Sequence, residues 1–266
     1  MSSTEHCIVE RDGALLTVTM NRPEARNALS PEMVCGLVDA WELANSDDTI
    51  RVVILTGAGG TFSAGADLKT MGRGKHGEET ALARMAADPD LTQKALLHLM
   101  RLDKPLIAAV EGFAVGGGTE ILQATDIRIA AEGARFGLPE VRWGLFPLAG
   151  SVVRLRRQIP YAKAAEMLLT GELMSAQQAE AWGLIGRVVP DGQALDVARA
   201  VARRVLDSGP LAIKAVMDVL RATEGIPEVE AIPIGLRIGR PVFQTSDAFE
   251  GTAAFAEKRR PEFTGA

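Results

Sequence analysis

The chain has 266 residues, of which 47% are hydrophobic and 24% charged, and it carries a formal net charge of −5. That balance excludes the disordered and fibrous classes and points to a soluble folded protein long enough to bury a substantial core. The acidic excess argues against a general nucleic-acid binder, and no segment approaches the ~20 apolar residues of a membrane span. The two cysteines, Cys7 and Cys35, stand far apart in the sequence, and His6, His76 and His98 lack zinc-site spacing. Neither a disulfide framework nor a metal site is therefore expected. Residues 1–13 contain acids and no apolar run of signal-peptide length, so a cytoplasmic location is the expectation.

In chain order, Leu15–Met20 alternates as a strand, and Asn21-Arg22-Pro23 stops it because proline withdraws a donor and fixes its own φ. Ser30-Pro31-Glu32 reads as a helix start, with a capping hydroxyl, proline in the first turn and an acid at the positive end. That helix is predicted to run to about Asn45. Three apolar runs follow, at residues 51–56, 105–110 and 127–130, and each leads to a glycine-bearing turn and then to a helix signal. Short and almost wholly apolar, they are expected to be buried parallel strands with their turns gathered on one side. Between the first two runs, residues 72–89 mix glycine, charge and alanine without a firm period, which suggests a mobile lid or pocket wall. Beyond about residue 200 strand signals cease, and Pro210, Pro227 and Ser246-Asp247 punctuate a helical C-terminal subdomain.

The chemistry is expected at the turns. Gly116-Gly117-Gly118 follows the second apolar run and precedes a helix predicted over 121–124, so its backbone N–H groups sit where a helix N-terminus attracts negative charge. Close packing would also explain the glycines. A second glycine turn, from Thr61 to Asp67, follows the first run, with Asp67 placed to cap a turn through Leu68 and Lys69 or simply to cap a loop. Two such turns can aim two N–H groups at one oxygen, as an oxyanion requires. Glu120 follows the glycines directly, and Glu140 follows Pro139, a candidate first helical residue. Each acid alone would suit a helix N-terminus. Together, and with Glu120 between the glycines and the apolar Ile121-Leu122, they can share acid and base roles with carboxyl pKa raised by burial.

The segments NRPEARNAL, TGAGGTFSAGADLKTM, KPLIAAVEGFAVGGGTEILQATDIRIAAEGARFGLPE and AFAEKRRPEF, in this order, resemble the enoyl-CoA hydratase/isomerase (crotonase) family over nearly the whole chain. The resemblance implies an α/β fold: a ClpP/crotonase-like spiral of repeated ββα units over residues 1–200, holding the CoA and active site. A helical oligomerisation subdomain over 201–266 would follow. It implies that the N–H groups of Ala66 and Gly117 hold a thioester oxygen while Glu120 and Glu140 orient water and move protons. Because both acids are present, hydration of an enoyl-CoA is the expected reaction. An isomerase or acyl-CoA hydrolase on the same scaffold, or a non-catalytic CoA-binding subunit, are the alternatives. Residues Ala64, Ala66, Asp67, Leu68, Lys69 and Gly116 would line the CoA site, and the loop at Glu24, Ala25 and Arg26 would take the adenine and phosphate portion. Phe255 and Lys258 would approach CoA, often from a neighbouring subunit of a trimer or hexamer; a core phenylalanine and a surface lysine are the plainer alternatives. Met71, Trp143 and Leu148 would shape the acyl pocket. No metal, flavin or nicotinamide is implied, since CoA arrives as part of the substrate, and neither nucleic acid nor membrane is an expected partner. The chain departs from the family pattern in two places. Many members carry lysine where Glu24 stands, which passes the phosphate contact to Arg22, Arg26 or another base. The PGAGG of many hydratases is Pro147-Leu148-Ala149-Gly150-Ser151 in this chain.

Overall fold

The computed structural model describes residues 4–67 and 79–266, which form two compact units, Met1–Ala200 and Val201–Ala266. The first unit is built on strands β1 (Cys7–Asp12), β2 (Leu15–Met20), β3 (Val52–Gly57), β4 (Leu106–Val110), β6 (Ile127–Ala131) and β9 (Arg187–Val189), which form one sheet in the order β1-β2-β3-β4-β6-β9. Except for β1, which pairs antiparallel with β2, every neighbouring pair in this sheet is parallel. The all-apolar β4 is buried at every position, as expected of a strand covered on both faces. Strand β1 was not anticipated: its second half, Glu10-Arg11-Asp12, is exposed at a sheet edge, where charge discourages further pairing but hides the apolar signal. Gly13, at φ 58°, makes the turn back into β2.

Strands β5 (Phe113–Val115), β7 (Arg135–Gly137) and β8 (Met174–Ser175) form a second, smaller sheet. Two successive units share a plan: a long strand enters the large sheet, a short one enters the small sheet, and a helical turn follows, as in β4, β5 and α4 (Gly117–Leu122). At three residues, β5 and β7 are too short to have a readable period. The small sheet is nonetheless what brings the glycine turns together, since Ser63, in the turn after β3, bridges Ala114 of β5.

Helix α1 (Pro31–Ser46) begins as predicted, with the Ser30 hydroxyl accepting from the Met33 N–H at 3.1 Å. Its apolar face buries Met33, Leu37 and Trp41, and the Trp41 indole donates to the Ala95 carbonyl at 2.9 Å. The loop before it is fastened by Asn27, which takes the left-handed φ of 54° that asparagine tolerates. The Asn27 amide donates to the carbonyls of Ala58 and Thr61, tying this loop to the turn after β3.

Two expectations need correction. Within 72–89, where the sequence shows no firm period, residues Glu79–Ala87 form helix α2, because the alanine-rich run favours helix; the pocket-wall expectation holds, since Leu82, Met85 and Pro89 line a cavity. Helix α4 begins at Gly117 and not at residue 121, so the glycines form its first turn. They do so because there is no room for side chains: a Cβ on Gly118 would lie 2.5 Å from the Ser63 carbonyl oxygen. The remaining helices of this unit include α3 (Leu91–Ala95), α5 (Ser151–Gln158), α6 (Tyr161–Thr170) and α7 (Ala176–Ala181), with α8 at Ala194–Leu206.

The second unit is helical. Pro210 opens α9 (Pro210–Ala222), Pro227 precedes α10 (Glu228–Gly239), and the Thr245 hydroxyl caps α11 (Ser246–Glu257) by accepting from Ala248 N–H. The buried Asp247 carboxylate accepts from the N–H groups of Thr264 and Gly265, so the C-terminal segment folds back on α11. Among the described residues no helix is long and apolar enough to cross a membrane.

Candidate active site

The two glycine turns meet. Gly65 (φ 81°) and Gly116 (φ 57°) take left-handed backbone conformations, and a Cβ on Gly65 would fall 2.9 Å from the Gly117 nitrogen. Only a residue without a side chain allows this approach. The turn carrying Ala66 is held by the Leu29 N–H, which donates to the Gly65 carbonyl at 2.8 Å, and by the Ala64 N–H, which donates to the Arg26 carbonyl at 2.9 Å. Gly117 is the first residue of α4, so its N–H has no acceptor within the helix. Among the described residues, neither the Ala66 N–H nor the Gly117 N–H has a protein acceptor. Two unbonded donors from separate, mutually braced turns therefore open into one cavity of about 690 Å³, which both residues line.

Glu120 and Glu140 line the same cavity. Glu120, one turn into α4, is 5% exposed, and its Oε1 lies 3.4 Å from the Ser151 N–H. Burial pushes its pKa up to about 7; N–H donors at Ser151 and Ala149 and the Ser151 hydroxyl pull it down, while the charge of Glu140 raises it further. Glu140 stands on a 3₁₀ turn, Pro139–Trp143, in place of the predicted helix. Its Oε1 is close enough to Gly116 that a Cβ there would come within 3.0 Å, while its buried Oε2 has no partner among the described residues. Burial raises the Glu140 pKa as well. Two carboxyls, each with its pKa raised by burial, thus line the cavity beside the two open donors.

Most of the residues read from the sequence meet at this cavity: Ala64, Ala66, Asp67, Gly116, Gly117, Glu120, Glu140, Trp143 and Leu148 all line it. Leu68, Lys69 and Met71 lie outside the described residues. Sequence reasoning missed Leu29, Val34, Gln93 and Leu96, which complete the wall. Leu29, Val34 and Leu96 are indistinguishable in sequence from ordinary core positions, and Gln93 from an ordinary polar helix residue. Trp143 and Leu148 are 71% and 68% exposed, forming a bare apolar rim with Phe146.

The CoA-phosphate expectation is overturned at Arg22. Its guanidinium is buried and pairs with Asp67 at 2.7 Å, with Glu24 at 3.6 Å, as a buried cation requires. Arg22 is therefore a brace between the loop after β2 and the Ala66 turn, not a surface base. Truncating it to alanine is expected to remove the buried counter-charge beside Asp67 and cost about 3 kcal/mol or more of stability, checked by denaturant unfolding. Arg26, by contrast, is exposed, with its guanidinium 5.7 Å from the Phe113 ring centre. Glu24 and Ala25 lie on the same 3₁₀ turn, Pro23–Ala25, outside the cavity lining. In the second unit, Phe255 is 87% exposed, which excludes the core role, and Lys258 terminates α11 in a left-handed conformation.

A crotonase-type enzyme is the class that this pair of turns and acids defines, and comparison with known proteins agrees. The sequence matches the enoyl-CoA hydratase/isomerase family over residues 10–266. It is 52% identical to the enoyl-CoA hydratase EchA19 of Mycobacterium tuberculosis over 263 residues, covering 99% of this chain and 98% of that protein. It is 39% identical to the carnitinyl-CoA dehydratase of Salmonella agona over 273 residues, spanning both proteins in full. The crystal structure of an enoyl-CoA hydratase from Mycobacterium tuberculosis superposes with a TM-score of 0.88 at 38% identity, covering 99% of this chain and 100% of that one. The chain therefore belongs to the enoyl-CoA hydratase/isomerase family, and it has the crotonase fold.

Proposed function

We propose that the chain catalyses the reversible syn addition of water to a trans-2-enoyl-CoA, giving a 3-hydroxyacyl-CoA. The observation that carries this reading is the placement of two buried carboxyls and two open N–H donors around one cavity. The donors at Ala66 and Gly117 polarise the thioester carbonyl. Ionised Glu120 takes a proton from water as the water oxygen bonds to C3, and the C2–C3 π electrons move toward the carbonyl as an enolate. Protonated Glu140 then delivers its proton to C2, and solvent exchange restores both acids. No resident cofactor is required. Names among the relatives, a hydratase and a dehydratase, denote the two directions of such chemistry and support the reading. The test is product analysis: 3-hydroxyacyl-CoA supports hydration, whereas a migrated alkene or free CoA would move the assignment to isomerase or hydrolase.

The cavity wall is mostly apolar, contributed by Leu29, Val34, Leu82, Met85, Leu96 and Phe146 among others, so the acyl group is a hydrocarbon of some size. Each methylene buried adds about 0.8 kcal/mol, roughly fourfold in kcat/KM, until the pocket fills. Across a panel of short, long and polycyclic enoyl-CoAs, the larger apolar members should exceed crotonyl-CoA at least tenfold; a preference for the shortest would remove this part of the proposal.

The adenine and phosphate end of CoA falls to Arg26 on its exposed turn. Val229, Ile232 and Leu236 on α10 leave an apolar stripe in water, as does Phe255 on α11. These surfaces are those expected of a trimer or hexamer in which Phe255 and Lys258 approach the CoA of a neighbour. Light scattering that finds a monomer at all concentrations would eliminate both the assembly and that role.

A further inference from the structure

Behind Glu120 lies a polar arrangement that hydration chemistry does not by itself call for. Ser151, the first residue of α5, is fully buried. Its Oγ lies 2.8 Å from the Nε2 of Gln123, which is also buried and sits one turn after Glu120. Gln123 is itself fixed from behind: its backbone carbonyl accepts from Gln158 Nε2 at 2.9 Å and from the Arg128 guanidinium at 3.0 Å. A hydroxyl has one proton. With the Gln123 N–H occupying an Oγ lone pair, that proton is turned away from the amide. The Ser151 backbone N–H already points at Glu120 Oε1 from 3.4 Å, and the hydroxyl of the same residue is one of the groups that lower the Glu120 pKa.

We propose that Ser151, oriented by Gln123, is a positioning residue whose hydroxyl donates to the Glu120 carboxylate and fixes the orientation in which it accepts a proton from water. The proposal rests on the assignment of Glu120 as the base in the reaction above. The N–H groups of Ala149 and Ser151 and the Ser151 hydroxyl each lower the Glu120 pKa and so favour its charged form. They oppose the burial that favours the neutral one. Without them, the base would stay protonated to higher pH and idle over more of the working range. The other charged groups near this arrangement are few. Glu140 faces Glu120, His98 packs its ring against Gly150, Arg154 lies further along α5, and Arg128 stands behind Gln123.

The experiment measures Glu120 directly and by turnover. Carboxyl-labelled glutamate is followed by ¹³C NMR across pH, with the Glu120 signal assigned as the one missing in Glu120→Gln. kcat/KM for one accepted enoyl-CoA is measured over the same pH range. In Ser151→Ala the Glu120 midpoint should rise by about one pH unit, with a roughly tenfold loss of kcat/KM below the midpoint and little loss well above it. Gln123→Met, which frees the hydroxyl to rotate, should shift the midpoint the same way by less. Ser151→Thr, which restores the hydroxyl, should return the midpoint even if its methyl slows turnover. An unmoved NMR midpoint in both Ser151→Ala and Gln123→Met overturns the proposal, as does a pH-independent loss of kcat/KM. Should Ser151→Ala not fold, Ser151→Gly replaces it, since glycine also removes the hydroxyl and adds no volume to this buried position. An NMR shift in a protein that makes no 3-hydroxyacyl-CoA would leave the Ser151–Glu120 coupling standing and remove the hydratase reading instead.

Discussion

Replacing Gly117 with proline is expected to reduce hydration by at least about a hundredfold. The substitution deletes one N–H at the position where the thioester oxygen gathers charge, and losing one such donor typically costs about 3 kcal/mol in the transition state. The helix should survive. Gly117 is the first residue of α4, where proline is tolerated because no helical hydrogen bond is lost, and its φ does not lie in the left-handed region. Sterics are the competing explanation, since a side chain there comes within 2.8 Å of a Leu29 methyl. Gly117→Ala separates the two. It introduces the same Cβ against the yielding end of Leu29 but keeps the N–H, so it should retain most of the turnover. Equal and severe losses in both variants would show that crowding, not the missing donor, sets the rate.

The legible parts of the structure were those with a strong local cause. Ser30-Pro31 fixed the start of α1, and the largely apolar runs before the turns marked β3, β4 and β6, because a strand covered on both faces has few polar positions to blur the pattern. The short strands β5 and β7 were invisible for the opposite reason: three residues cannot carry a period, and their existence depends on pairing with residues far away in the chain. The site divides in the same way. Glu120 and Glu140 stood out as acids beside glycine and proline. Arg22 looked like a surface base in a polar loop and is instead buried against Asp67, a pairing across 45 positions that only the fold creates. Ser151 was legible only as a departure from the PGAGG pattern and Gln123 carried no signal, since a serine and a glutamine at helix ends are ordinary polar residues until the fold buries them beside Glu120.

The acids decide the reaction. Glu120→Gln and Glu140→Gln keep size and hydrogen-bonding shape but cannot exchange a proton, so each alone should lower hydration by at least 10²-fold with CoA affinity little changed. If the enzyme were an isomerase, one acid would suffice to carry a proton between carbons, and one of the two variants would keep alkene migration. Measuring both rates for wild type and each variant on one substrate separates these cases; near-normal hydration in either variant would sink the two-acid mechanism. Stability supplies an independent check on Glu120. Its pKa, raised by burial to about 7 in the folded chain from the ordinary glutamate value of 4.5, means that the folded state holds this proton more tightly than the unfolded chain does. Folding therefore loses stability as pH rises from about 4.5 to 7, because ionising Glu120 in its buried site is unfavourable. Glutamine cannot ionise. Glu120→Gln should match wild type in thermal stability near pH 4 and exceed it increasingly up to about pH 8, while losing activity throughout. A thermal midpoint difference that does not grow over that interval would mean that Glu120 ionises without cost in the folded protein, and the proton affinity assigned to it as the base would fall with it.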